Sequence, residues 1–192
     1  MKKLLAIIFA TALVMGTSSF TNNAYAQVDD TAQGSVQEGD FKAGVGFVFG
    51  TGIGFGPLDN DLGIRADGYY AFTDNIRGGG DFTFYFPKSE GPSKINVWEL
   101  NLNGHYIFKD EDGLVLYGLG GINITGFSWE STFSFAGFTE TESYSDSEFG
   151  LNLGGGLEYA LDFADLFAEA KIGGLGGNAN QFVLGAGLRF AF

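Results

Sequence analysis

His105 is the residue that most invites a chemical role, because it is the one histidine among 192 residues. A histidine set beside a serine and an acid could act as the general base of a lipid hydrolase. However, His105 lies four residues before a short turn that opens at Lys109, and we expect no serine on its side of the strands. We therefore predict an interior, hydrogen-bonded histidine and a protein that is not an enzyme.

Ten charged residues recur at alternate positions along stretches of the chain that alternate between apolar and polar residues. They could serve there as catalytic acids and bases. Five are basic and five are acidic, and charges in a narrow protein interior must be paired or solvated. Structural ion pairing therefore accounts for them better than acid-base catalysis does. The ten are Lys42, Arg65, Arg77, Lys171 and Arg189, with Asp67, Asp81, Glu99, Glu158 and Glu169.

Metal, cofactor and nucleic-acid chemistry find little support in the chain. Residues 110–113 read Asp-Glu-Asp-Gly and lack the remaining ligand spacing of a calcium loop, and the glycine-rich run 173–177 lacks the helix start and lysine of a phosphate loop. The chain has no cysteine, which excludes thiolate metal sites and disulfides. Its net charge of −13 opposes nucleic-acid binding. We expect no cofactor, no metal and no nucleic-acid partner.

Residues 1–26 have the layout of a secretory signal peptide. Two lysines precede the apolar run 4–14, and small residues end the segment before a cut at Gln27. The run is shorter than the roughly 18–20 residues that span a bilayer as a helix. Residues 27–40 are acidic and without periodicity, which predicts a flexible periplasmic tail.

The remainder, residues 41–192, alternates between apolar and polar positions, the period of β-strands. Short turns over 73–75, 109–113 and 162–165 alternate with longer loops. This pattern predicts an all-β, eight-stranded antiparallel up-and-down transmembrane β-barrel with both termini on the short-turn side. The predicted strands are 41–49, 62–72, 76–86, 98–108, 114–126, 149–161, 166–172 and 182–192, and the long loops are 51–61, 87–94, 128–147 and 174–180.

The apolar face of the predicted strands indicates whether the barrel is surrounded by water or by lipid. It carries no Lys, Arg, Asp or Glu on any of the eight strands, and aromatic residues lie at many strand ends. A charge-free band between aromatic girdles is typical of a surface that meets lipid. In lipid the backbone must be bonded internally, so the sheet has to close. We expect a monomer in the outer membrane of a Gram-negative-type envelope.

Several segments carry a resemblance to a known family. The chain ends on alternating apolar residues that look like the signal read by the outer-membrane barrel-assembly machinery. Segments 70–75, 116–121 and 154–159 are similar to the small eight-stranded outer-membrane β-barrels that include OmpX and Ail, and to OmpA-like barrel domains. The resemblance implies a barrel in lipid and lipopolysaccharide, and it implies no activity. The signal residues are Gly187, Leu188, Phe190 and Phe192.

The loop 128–147 is the most informative segment for function. Its aromatic residues change phase relative to the preceding strand, and residues 136–137 could form the tip of a protruding hairpin. Such a hairpin could bind a partner by edge pairing or by aromatic contact, and the alternative is a solvated loop with girdle aromatics. The candidate contact residues are Trp129, Phe133, Phe135, Phe138 and Tyr144.

These observations favour a non-enzymatic protein with a structural or adhesion-like surface role, performed through its extracellular loops toward a protein or a glycan. Side chains fill most of the interior of an eight-stranded barrel, which disfavours a wide pore. The alternative function is a narrow, porin-like channel for small solutes, for which the many inward glycines could leave room.

Overall fold

The computed structural model describes residues 36–51, 60–90, 93–135 and 138–192. The predicted signal peptide and residues 27–35 lie outside this part of the chain. Among the described residues, no helix is long and apolar enough to cross a membrane. The strands are β1 (Phe41–Thr51), β2 (Asn60–Thr73), β3 (Ile76–Tyr85), β4 (Lys88–Glu90), β5 (Ser93–Glu111), β6 (Leu114–Phe135), β7 (Phe138–Ala160), β8 (Asp165–Leu175) and β9 (Gln181–Ala191).

The strands form one antiparallel sheet that closes on itself. Its order is β3-β2-β1-β9-β8-β7-β6-β5-β4, and a further pairing of β3 with β5 completes a ring of eight strands. The short strand β4 stands outside the ring, and β5 is its one partner among the described strands. The predicted eight-stranded up-and-down barrel is therefore confirmed, and the loop predicted over 87–94 contains an additional short strand.

Strand alternation divides the side chains between two environments. On β5 the residues at odd positions from Val97 to Ile107 are buried, whereas Leu102 and Tyr106 on the outer face are 55% and 62% exposed. All ten charged residues predicted for the interior lie on the buried face, and apolar side chains cover the outside of the ring. Such a surface is unfavourable in water and stable in a bilayer.

The loop predicted over 128–147 is in fact a continuation of two strands. β6 and β7 have 22 and 23 residues and pair without interruption from Gly126 with Ser147 to Phe135 with Phe138. These ten pairs correspond to about 30 Å of extended chain beyond the predicted strand end. Residues 136–137 join the two strands at the predicted tip and lie outside the described residues. We call residues 126–147 the hairpin, and the barrel end from which it rises the loop end.

The end of the predicted tail packs against the opposite, turn end of the barrel. Gly39 N donates to Ala71 O at 2.9 Å, and Ala71 N donates to Asp40 O at 2.8 Å. Val36 N donates to Asp110 Oδ2 at 2.9 Å, and the Val36 side chain is buried. Residues 36–40 therefore form an ordered strap across the turn end, although acidic composition and missing periodicity predicted flexibility there.

Gly187 has a packing role that a matched substitution can isolate. A Cβ at Gly187 would collide with Val45 O and lie 2.5 Å from Gly46 Cα, whereas a Cβ at Gly185 on the same face would lie 3.5 Å from Val48 Cγ1. We expect Gly187→Ala to lower the free energy of unfolding by about 1–3 kcal/mol. Gly185→Ala is expected to change it by less than about 0.5 kcal/mol.

The measurement is the urea midpoint of the mature protein refolded in detergent, followed by the heat-dependent gel shift of a closed barrel. Refolding in detergent uses no assembly machinery, so it separates packing at Gly187 from recognition of the C-terminal strand. Equal midpoints for the two variants would contradict the packing role.

Candidate functional site

Arg189 lies at the centre of the charge network in the barrel interior. Its guanidinium donates to both carboxylate oxygens of Asp67, from Nε at 3.1 Å and from Nη2 at 2.9 Å. Its Nη1 pairs with Glu158 and donates to Tyr117 Oη at 3.1 Å. Side chains of β2, β6, β7 and β9 thus meet on one buried guanidinium.

Two further clusters surround this centre. Toward the turn end, Glu158 also pairs with Arg77 at 2.9 Å and with Lys42 at 3.4 Å. Toward the loop end, Arg65 Nη1 lies 2.6 Å from Glu169 Oε1 on the opposite wall of the barrel. These contacts link strands that are distant in sequence and fill the cross-section with charge-assisted hydrogen bonds.

The structure places all ten predicted charged residues inside the barrel, and nine of them form ion pairs. Glu99 differs, because its oxygens accept from the amides of Gln181 and Asn101 and no described cation forms an ion pair with it. Sequence reasoning missed Asp165, whose Oδ2 lies 2.6 Å from Lys42 Nζ. Asp165 had been assigned to a turn, but it begins β8 opposite Arg189.

A ladder of amides completes the polar interior toward the loop end. Asn101 and Asn103 donate to Asp81 at 2.7 and 3.1 Å, and Asn123 and Asn152 each donate to Asn101 Oδ1 at 2.8 Å. Asp81 therefore has amide partners in addition to the distant cations of Arg65 and Lys171. The sequence signal for this ladder is the alternate spacing of Asn101 and Asn103 along β5, which sequence reasoning missed.

His105 is stacked between two tyrosines, with ring centroids 4.3 Å from Tyr69 and 4.4 Å from Tyr117. Arg77 Nε donates to His105 Nδ1 at 3.0 Å. The histidine is therefore a hydrogen-bonded interior residue.

Two serines of the described strands, Ser93 and Ser131, do share the inward face, contrary to the sequence expectation, because β5 and β6 extend past their predicted ends. Ser131 is buried and pairs in register with Ser93, while His105 pairs with Leu119. Twelve residues of strand separate the two positions, or about 40 Å. No hydrolytic pair forms between His105 and Ser131.

Among the described residues, buried apolar side chains lie in the interior at both ends of the network. At the turn end the buried cluster consists of Val36, Ala71, Ile107, Val115, Tyr117 and Leu119. At the loop end it consists of Val48, Tyr85, Val97 and Val183, with Ile95 and Phe127 packed against it. Water crossing this barrel would have to pass two apolar layers and a paired charge network between them.

The hairpin continues the inward face of the barrel and changes its chemistry. Trp129 pairs in register with Tyr144, and Phe127 pairs with Asp146. The rings of Phe127 and Tyr144 are 6.2 Å apart, and Tyr144 Oη donates to Asp146 Oδ2 at 3.1 Å. This hydrogen bond and the charge of Asp146 raise the pKa of Tyr144.

The other candidate contact residues have different positions. Phe138 is 82% exposed at the end of the hairpin, and Tyr144 is 57% exposed. Trp129 is half-buried. The backbones of Phe133 and Phe135 belong to β6, and their side chains lie outside the described part of the chain. The structure therefore brings Trp129 and Tyr144 together and sets Phe138 apart at the tip.

Comparison with known proteins bears on the fold. No family model and no curated protein matches the chain in sequence. The structure is similar to Ail of Yersinia pestis, with 20% identity and a TM-score of 0.52 over 80% of this chain and all of Ail. It is also similar to Neisserial surface protein A, with 17% identity and a TM-score of 0.56 over 80% of this chain and 96% of that one.

A third similar structure is the outer membrane protein OprG from Pseudomonas aeruginosa, with 18% identity and a TM-score of 0.56 over 84% of this chain and 99% of OprG. The chain has the fold of the small outer-membrane β-barrels. The resemblance inferred from the sequence is confirmed at the level of fold. The exposed apolar surface and these neighbours together support the outer membrane as the location of the barrel.

The two apolar clusters and the paired charges between them predict an electrically silent barrel. We expect the mature protein, reconstituted in a planar bilayer, to show no discrete single-channel openings, because both apolar layers exclude ions. The heat-dependent gel shift verifies that the reconstituted protein is folded. Reproducible openings whose conductance changes in Arg65→Gln or Glu99→Gln would instead establish the narrow channel.

Removal of the central guanidinium is expected to be costly. Arg189→Met would leave Asp67 and Glu158 with fewer cations, and we expect the free energy of unfolding to fall by about 3–5 kcal/mol. Lys109→Met is the control, since Lys109 forms an exposed pair with Glu111 at 3.5 Å and is expected to contribute at most about 1 kcal/mol. Urea titration in detergent measures both, and an equal effect of the two variants would contradict the assignment.

Proposed function

We propose that this protein is a non-enzymatic, monomeric surface-interaction protein that binds an extracellular partner through the hairpin. The observation that carries the proposal is the uninterrupted pairing of β6 with β7 to Phe135 and Phe138. It yields a structured surface with exposed aromatic side chains where an ordinary loop would be solvated and mobile. Paired strands hold such side chains in fixed positions before a partner arrives.

The interior supports this proposal by offering little to the competing functions. His105 and Ser131 are far apart, and the interior carboxylates are engaged by cations or amides. The two apolar layers oppose a diffusion path, so the channel remains the alternative for conductance recording to test. A binding role requires neither a catalytic group nor a pore.

The charge of the hairpin favours a protein partner over a sulfated glycan. Glu140, Glu142 and Asp146 are exposed on it. Ail of Yersinia pestis, at 20% identity and a TM-score of 0.53, has been crystallised with the heparin analogue sucrose octasulfate, a polyanion. A polyanion would be repelled by the carboxylates of the present hairpin, so we propose that its partner is a protein with a basic surface.

We also propose the C-terminal strand as the element recognised by the barrel-assembly machinery. Gly187, Leu188 and Phe190 lie on β9, which pairs with both β1 and β8, and Phe192 follows it. The barrel wall would contact the lipid of the outer membrane and, in the outer leaflet of that membrane, lipopolysaccharide. Neither contact requires a specific site in the interior.

The test compares binding by proteoliposomes that carry the wild-type protein or a triple variant. The variant is Trp129→Ser with Phe138→Ser and Tyr144→Ser, and the probes are purified matrix proteins and glycans of both charge signs immobilised on a surface. We expect the wild type to bind at least one basic protein and the variant to bind it about tenfold or more weakly, since aromatic contacts often dominate interfaces.

Phe163→Ser is the control, because Phe163 is 69% exposed in the turn between β7 and β8 at the opposite end of the barrel. It is expected to bind as the wild type does. The proposed function is wrong if the triple variant retains full binding while its barrel shows the normal heat-dependent gel shift.

A further inference from the structure

The hairpin has one edge without a partner strand among the described residues. β7 pairs with β6 along its whole length, whereas its pairing with β8 extends no farther than Leu151 with Leu175. The stretch 139–147 therefore has β6 on one side and no described strand on the other. An edge of this kind can accept an added strand.

The register shows which backbone groups this edge presents. Ala160 N donates to Gly113 O, and the register of β6 with β7 runs without a shift, so the even-numbered residues of β7 bond toward β6. Because antiparallel bonding alternates, the odd-numbered residues turn their N–H and C=O groups outward. Thr141, Ser143 and Ser145 thus present donors and acceptors to which no described backbone bonds.

A local contact agrees with this assignment. Ser147 has the same phase, and its N–H donates to Asp146 Oδ1 at 2.8 Å. The open part of the edge therefore ends at Ser147 on the barrel side. Beyond it, Asn178 Nδ2 donates to Glu148 Oε1 at 3.1 Å, so the loop after β8 already covers the base.

The side chains along the edge specify the charge of the strand that could be added. Glu140, Glu142 and Asp146 are exposed and share one face with Tyr144. Against an antiparallel neighbour these even-numbered positions form the closer type of cross-strand pair, with Cα atoms about 4.5 Å apart. A second copy of this chain would set carboxylates beside carboxylates, which is unfavourable.

We propose that the open edge of β7 binds an extended polypeptide segment with Lys or Arg at alternate positions, which joins the hairpin as an additional strand. This inference rests on the proposed function and specifies its partner. The backbone groups of Thr141, Ser143 and Ser145 select a polypeptide, and the carboxylates select basic residues at every second position. The exposed ring of Tyr144 adds a face for a cation.

The experiment measures fluorescence anisotropy of a labelled ten-residue peptide of alternating Lys and Thr, titrated with the mature protein in nanodiscs of zwitterionic lipid at physiological salt. We expect saturable binding. The variant Glu140→Gln with Glu142→Gln and Asp146→Asn is expected to weaken it about tenfold, since three exposed ion pairs are lost.

Ser143→Pro tests the backbone contribution separately. Proline removes an outward N–H while leaving the bonds between β7 and β6, and proline is tolerated on edge strands. We expect about tenfold weaker peptide binding in Ser143→Pro and unchanged binding in the control Ser143→Ala. The heat-dependent gel shift verifies that each variant is folded.

A peptide of five Lys followed by five Thr carries the same charge without the alternation, and it is expected to bind at least about tenfold more weakly. Absence of binding by the alternating peptide, equal binding of the two peptides, or full binding by Ser143→Pro would each overturn strand addition. Any of these peptide results can occur while the triple aromatic variant still loses its protein partner in the proteoliposome assay. In that case the proposed function stands, and only strand addition at the edge of β7 is wrong.

Discussion

Polar groups enclosed by this barrel have to find their partners largely within the protein, because lipid surrounds the ring and buried apolar clusters lie toward both of its ends. The backbone meets this constraint by closing eight strands, and closure brings opposite walls within reach of long side chains. Arg65 on β2 can therefore meet Glu169 on β8, and Arg77 on β3 can meet Glu158 on β7. The charge network is a consequence of closure, and its cross-links then hold the small cross-section together.

The chemical type of the inward-facing side chains changes along the barrel axis. At mid-height it carries charges and amides, and toward both ends it carries valine, isoleucine and aromatic rings. Above the loop end the same phase continues onto the hairpin as Phe127 and Trp129.

Alternation was sufficient to predict the eight strands, the charges of the interior and the lipid-facing surface, because each depends on local period and on burial. It could not predict which charges pair, since pairing depends on closure and on register across the barrel; Glu99 with amide partners and Asp165 with Lys42 are the results. The strap depends on hydrogen bonds to Ala71 and Asp110, which come together only after folding. The predicted strand stops at residue 126, short of the end of β6 at Phe135. Phe127 and Trp129 are apolar residues at inward positions, and the preceding inward positions Asn123 and Thr125 are polar.

Close packing at its base makes the hairpin a suitable platform for recognition. The indole of Trp98 lies against Gly126, and Gly150 approaches the backbone of Gly174, so neither strand has space to bend where it leaves the ring. Folding therefore orders the open edge in advance, and a partner strand would lose mainly its own conformational freedom on binding. The carboxylates on that edge also oppose pairing between two copies, which is a general hazard of exposed strands. The same residues can thus keep the edge unoccupied until a chain of opposite charge meets it.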